Sequence, residues 1–185
     1  RAEFNPHTKT SYTETSGTIV VLESQRTLYL HPDGELSYTG SSAETNSVFS
    51  VSAADAAHPS RAEICSAARH LIAALTQGRT GDAALYVSGM TSESASVTTV
   101  TFDYMIGGTP LCFSDGRHAA EITVTGRSIT EFSLRLRRYS ATEQESLLLP
   151  LPLSLAIAGR YPGSELSVAY IDSYADTVSA SWIAG

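Results

Sequence analysis

Few side chains in this sequence are spaced so that they could do chemistry together. The five histidines are His7, His31, His58, His70 and His118, and no two are placed as ligands on one element, so no metal site is expected. Cys65 and Cys112 stand far apart and form no C-x-x-C. They read as two buried thiols, since a disulfide would need their Cα atoms within about 7 Å. Glu143 with Glu145, and Asp172 with Asp176, could divide acid and base roles, but spacing alone fixes no distance and they read as surface charge. A G-x-S-x-G elbow, a Walker loop, H-E-x-x-H and G-x-G-x-x-G are all missing. Serine is abundant without a neighbouring base to activate it. A non-enzymatic protein with no cofactor is the expectation.

One polar pattern is sharper. In "TEFSLRLRR" Phe132, Leu134 and Leu136 alternate with Ser133, Arg135 and Arg137, and Arg138 follows. Period-two alternation sends one strand face to the core and shows the other to solvent. On a chain of net charge -7, Arg135, Arg137 and Arg138 form the candidate docking surface for an acidic partner. The plainer reading is a solvated sheet face with Glu121 or Glu131 opposite.

The elements that must position this stripe carry readable signals. At 185 residues and 42% hydrophobic content the chain can bury a real core. Eleven of the twelve basic residues are Arg and Lys9 is the only lysine, so no basic tract invites nucleic acid. The opening "RAEFNPHTKTSYTETSG" has no apolar periodicity and reads as a polar linker over residues 1–16. Starting at Arg1, the chain reads as a fragment whose membrane anchor lies upstream.

From Thr18 the pattern is strand: "TIVVLE", then "TLYLHPDGELSYTG" with a turn at Pro32-Asp33-Gly34. "SVFSV" reads as a short strand. Ser60 and Glu63 form a capping box, Ile64, Ala68, Leu71, Ile72 and Leu75 share one helical face, and Gly78 stands at C′, which predicts a helix over 60–77. "AALYVSG" and "SVTTVTFDYMIGG" read as paired strands. "TPLCFSDG", "HAAEITVTG" and "SITEFSLRLRRY" read as an antiparallel meander turning at Gly116 and Gly126. In "LPLPLSLAIAG" the prolines predict a short helix from Pro152 to Ala158 closed by Gly159, and "ELSVAYID" with "TVSASWI" forms a last hairpin.

The chain also echoes itself. "GRTGDAALYVSG" at 78–89 and "GRYPGSELSVAY" at 159–170 share Gly78/Gly159, Arg79/Arg160, Leu85/Leu166 and Val87/Val168 at a constant offset. Each phrase reads as a helix exit into a strand, with Gly supplying left-handed backbone and Arg meeting the negative end of the helix dipole. The fold class expected is therefore α+β: two similar hairpin-helix-hairpin units over 17–107 and 108–185, with curved antiparallel sheets each packed by a helix.

Over residues 83–185, "VTFDYMIGGTPLCFSDGRHAAEITVTGRSITEFSLRLRRY", the short apolar helix and "GSELSVAYIDSYADTVSASWIAG" resemble the YycH/YycI family of extracytoplasmic regulators. Gly108, Pro110 and Leu111 stand for its "G-x-P-apolar" turn, Phe132 to Tyr139 for its basic or aromatic strand, and Trp182 for its closing aromatic. The resemblance implies PepSY-like tandem modules anchored at the membrane, acting without catalysis on a cell-envelope partner, a sensor histidine kinase of a two-component system. The alternative is a PepSY-like domain that binds a peptide or small ligand and modulates a peptidase, with Tyr86, Phe102 and Tyr104 lining a concave sheet face.

Overall fold

The structure, a computed structural model, describes residues 10–41, 50–52, 59–143, 145–160, 163 and 165–184. In chain order its strands and helices are β1 (Thr10–Thr13), β2 (Ile19–Glu23), β3 (Arg26–Leu30), β4 (Glu35–Gly40), α1 (Arg61–Thr76), β5 (Ala83–Ser92), β6 (Val97–Ile106), β7 (Thr109–Phe113), β8 (Ala120–Thr125), β9 (Ser128–Arg135), α2 (Leu151–Ala158), β10 (Leu166–Asp172) and β11 (Ser179–Ala184).

These strands form one 11-stranded mixed sheet ordered β1-β2-β3-β4-β9-β8-β6-β7-β10-β11, with β5 on β6 off that path. The expectation of a balanced α+β protein in two hairpin-helix-hairpin units is corrected: the described residues are mostly sheet, with two short helices. The physical reason lies in long-range pairing that local patterns do not carry. β4 of the first half pairs with β9 of the second, Tyr38 opposite Phe132, and so joins what were to be separate sheets.

Local signals explain the elements themselves. Gly34 turns the chain between β3 and β4 at φ +88°, a region costly for any residue with a Cβ. α1 begins with the full capping box, Ser60 Oγ accepting from Glu63 N–H and the Glu63 carboxylate accepting from Ser60 N–H. Its buried face, Ile64, Ala68, Leu71 and Ile72, packs on Val100 and Phe102 of β6, Ile122 of β8 and Phe132 of β9 in the larger core. At period two, Thr98, Val100, Phe102 and Tyr104 of β6 are all buried.

A smaller core sits at the other end of β6, with Tyr104, Leu111, Phe113, Ala119 and Tyr139 around Ala83. Here the expected meander is corrected. β8 pairs with Val97–Phe102 of β6 and β7 with its remaining Tyr104–Ile106, so β7 and β8 lie end to end along one edge instead of side by side. β7 then pairs in parallel with β10, Leu111 opposite Tyr170. The expected strand "SVFSV" lies largely outside the described residues; within them Ser50 bridges Ser128 and Val51 is buried.

The echo recurs as order, helix then hairpin, but not as packing. β5 flanks β6, whereas β10 lies between β7 and β11. Gly78 is left-handed at φ +67°, as its C′ place requires, while Gly159 has φ -60° and ends α2 in right-handed geometry.

Candidate functional site

The break between β7 and β8 creates the chemistry of the molecule. Asp103 of β6 faces the gap, where no ladder partner stands opposite, and its carboxylate closes it: His118 Nδ1 lies 3.0 Å from Oδ1 and 3.1 Å from Oδ2, and Ala119 N–H donates to Oδ1. Burial, with the Asp103 carboxylate adding to it, pushes the nearby Cys112 thiol up. Cys65 and Cys112 are free and half-buried.

β7 and β10 end together, Phe113 opposite Asp172, and Ser114 N–H donates to the Asp172 carbonyl. Asp172 is 1% exposed, so its carboxylate must find donors in the protein. It finds four: Arg137 Nε and Nη2 at 3.2 Å each, the Tyr139 hydroxyl at 2.7 Å and Tyr174 N–H at 2.7 Å. Tyr139 is pushed far up, first by burial and then by its hydrogen bond to Asp172. Tyr104 ties in the exit of β9, its hydroxyl donating to the Arg135 carbonyl at 2.8 Å and accepting from Arg137 N–H at 3.1 Å. The phenol is pushed up by burial.

Above this network the side chains pile up. The Arg135 guanidinium lies 5.8 Å from the Phe113 ring, Phe113 stacks on Tyr174 at 5.7 Å, and Arg137 lies 5.2 Å from the other aromatic, Tyr174. The Tyr174 hydroxyl donates to Asp115, which also accepts from Arg117 Nε; these two hydrogen bonds hold the Asp115 carboxyl below the usual carboxylate range. Gly81 completes the packing: its φ is +69°, and a Cβ there would collide with the Tyr139 carbonyl, to which it is joined in a parallel bridge.

The expected arginine surface is therefore largely turned inward. Arg135 is 12% exposed, pairs with Glu35 across the strand at 3.4 Å and donates to the His118 carbonyl; neither Glu121 nor Glu131 is its partner. Arg137 lies past the end of β9, where alternation lapses, and its side chain is held by Asp172. Arg138 is exposed and, among the described residues, has no ion-pair partner.

Beside Arg137 and Arg138, residues 136–142 and 145–147 and the β10–β11 turn line a groove of about 1190 Å³. Tyr139, Tyr170 and Asp172 form part of its lining, with Glu145, Asp176 and Val178 around them. The reading of Asp172 with Asp176 as surface charge is corrected for Asp172, which is the hub of the network. The signal that could have found it is a carboxylate ending the apolar strand run "VAYID". Glu143, Glu145 and Asp176 are exposed.

A second, apolar cavity of about 310 Å³ lies between α2 and β10–β11, lined by residues that include Leu149, Ile157, Leu166 and Trp182. The expected aromatic concave face does not form. Phe102 and Tyr104 are 1% and 0% exposed in separate cores, and Tyr86 pairs with Asp103, on the opposite face. His31 bridges Thr18 and Ser37, and His70 is exposed; His7 and His58 lie outside the described residues. Among the described residues no three His, Cys, Asp or Glu side chains gather as a metal site. No protein-family model, curated protein or solved structure matches the chain.

Proposed function

We propose that the protein is a non-enzymatic binding and regulatory module that takes an extended segment of a cell-envelope protein in the groove beside Arg137 and Arg138. The carrying observation is the groove itself. At about 1190 Å³ it exceeds the roughly 300–1,000 Å³ of small-molecule sites, and its lining mixes charged, aromatic and aliphatic side chains. Its floor is already ordered by the Asp172 network, so a partner segment would meet a rigid surface and little entropy would be lost on the protein side. Arg138, exposed at the rim, is the cation left to steer an acidic approach.

The resemblance to YycH/YycI proteins supports the class of partner: a membrane sensor histidine kinase, met on the extracytoplasmic side, with the module anchored through a segment upstream. The test is site-specific photocrosslinking in envelope membranes of the source organism, with the crosslinker placed at Ser140 in the groove or at Ser94 in the β5–β6 loop. A discrete adduct from Ser140, lost with Arg138→Glu and absent from Ser94, is expected. Equal labelling from both positions, or none from Ser140, would overturn the reading.

A further inference from the structure

α2 is inside out. Its buried residue is Ser154, at 4% exposure, while Leu151, Leu153, Leu155 and Ile157 are 51, 51, 52 and 45% exposed. The lead-in adds Leu148 and Leu149 and, at 97%, Leu147. At about 100° per residue, Leu151 and Leu155 lie on one side of the helix, with Leu153 and Ile157 roughly 200° away on the other. A helix apolar on all its free sides is not a surface helix of a soluble protein face; it needs an apolar surround. A flat protein surface covers one side of such a helix. Acyl chains reach both.

The charges point the same way. From Ser146 to Gly159 no residue is charged, and the run is flanked by Glu145 and Arg160, of opposite sign. That pattern complements a headgroup layer that itself carries one charge of each sign and no net charge. Anionic lipid would meet a chain of net charge -7. Eight residues, about 12 Å at 1.5 Å each, fall far short of the ~30 Å hydrocarbon core but suit an element lying in the interface. Among the described residues no helix is long and apolar enough to cross a membrane. Trp182 stands at the edge of the patch, its indole N–H donating to the Leu149 carbonyl at 2.9 Å and its ring lining the apolar cavity beneath α2. An amphipathic ring there is the residue type that favours a headgroup boundary.

We infer that α2 and its Leu147–Leu149 lead seat the protein on the acyl–headgroup boundary of a zwitterionic lipid surface. The inference does not rest on the groove reading: the groove adjoins the patch at Leu147 and Ala180, but the argument uses α2, Leu148, Leu149 and Trp182, none of which lines the groove. Trp182 is the only tryptophan, so indole emission, excited selectively over the nine tyrosines, reports on the patch alone. With phosphatidylcholine vesicles the emission should shift to the blue, lipid brominated in its acyl chains should quench it, and the protein should sediment with the vesicles. Leu151→Glu with Leu153→Glu, both at exposed positions, should leave the circular dichroism spectrum unchanged and weaken partitioning at least tenfold. Vesicles enriched in phosphatidylglycerol should bind less. Unchanged emission without sedimentation would overturn the inference. So would a concentration-dependent blue shift and dimer formation without lipid, which would assign the helix to a second copy of the chain. Should the double variant lose structure, quenching of the wild-type protein by brominated lipid still decides the question.

Discussion

Replacing Asp172 with alanine should destabilise the fold more than any exposed carboxylate replacement. The side chain is 1% exposed and accepts from four donors. Its removal leaves the Arg137 guanidinium, 29% exposed, the buried Tyr139 hydroxyl and the Tyr174 N–H without that acceptor. Breaking a buried ion pair by deleting one member costs about 3–5 kcal/mol, and an orphaned buried hydroxyl about 1–3 kcal/mol. These costs overlap, so about 4 kcal/mol is expected for Asp172→Ala. In a protein of this size that corresponds to a fall in Tm of roughly 8–16 °C. Urea denaturation followed by circular dichroism measures it, with Asp176→Ala as the exposed comparison at about 0.5 kcal/mol or less. A double-mutant cycle with Arg137→Leu should recover part of the loss, because the double variant no longer strands a charge. A loss below about 1 kcal/mol for Asp172→Ala, or strict additivity in the cycle, would refute the claim that this carboxylate holds the 136–139 segment.

Two further outcomes follow from the same region. Gly81→Ala should cost at least about 2 kcal/mol, because left-handed backbone and collision with the Tyr139 carbonyl combine, whereas Gly107→Ala, at φ +56° with open space around it, should cost only the backbone term of about 1–2 kcal/mol; equal denaturation midpoints would remove the collision from the account. In alkali, Tyr104 and Tyr139 should ionise above the ordinary tyrosine value of about 10 in the phenolate absorbance near 295 nm, burial being the main cause for each. Their folded values lie above the unfolded value of about 10, so stability is whole below about pH 10 and falls as pH rises above it, by about 1.4 kcal/mol per pH unit per phenol. The unfolded chain releases protons there that the folded one keeps. Ionisation of all tyrosines together near pH 10 with the fold intact would contradict this.

Legibility in the sequence followed the range of the interaction. α1 was readable end to end: Ser60 with Glu63 opens it, Ile64, Ala68, Leu71 and Ile72 face the core, and Gly78 leaves it at positive φ. So were the Pro32-Asp33-Gly34 turn and the β5–β6 and β10–β11 hairpins, whose partners are neighbours in sequence. The joints between distant segments were not. Nothing in "TPLCF" or "VAYID" announces that β7 and β10 pair in parallel, and nothing in "HAAEITVTG" places β8 on the same edge of β6 as β7. The arginine stripe shows the limit most clearly. Alternation correctly buried Phe132 and Leu134, but the face it left to Arg135 is occupied by Glu35 and the Phe113 ring. Arg137 falls beyond the strand, where period two no longer assigns a direction. α2 was readable in length and unreadable in packing, because a segment apolar at nearly every position carries no moment to say which side is buried.

The inward placing of Arg137 and the exposure of Arg138 decide how the groove would work. An acidic partner segment competing for Arg137 would have to displace Asp172 from a bidentate contact and leave that carboxylate buried with fewer donors, a loss of several kcal/mol before any gain. The same displacement would loosen the end of the β7–β10 joint, since Asp172 also accepts from Ser114 through its carbonyl and from Tyr174 through its carboxylate. Arg138 carries neither penalty. It follows Arg137 directly, so the network that fixes the 136–139 backbone also fixes where Arg138 starts from the groove wall, while leaving its charge in solvent. On the proposed reading Arg137 would be a positioning residue and Arg138 the contact. Charge removal at Arg138 should slow association and flatten its salt dependence with the fold unchanged, whereas removal at Arg137 should show first as lost stability.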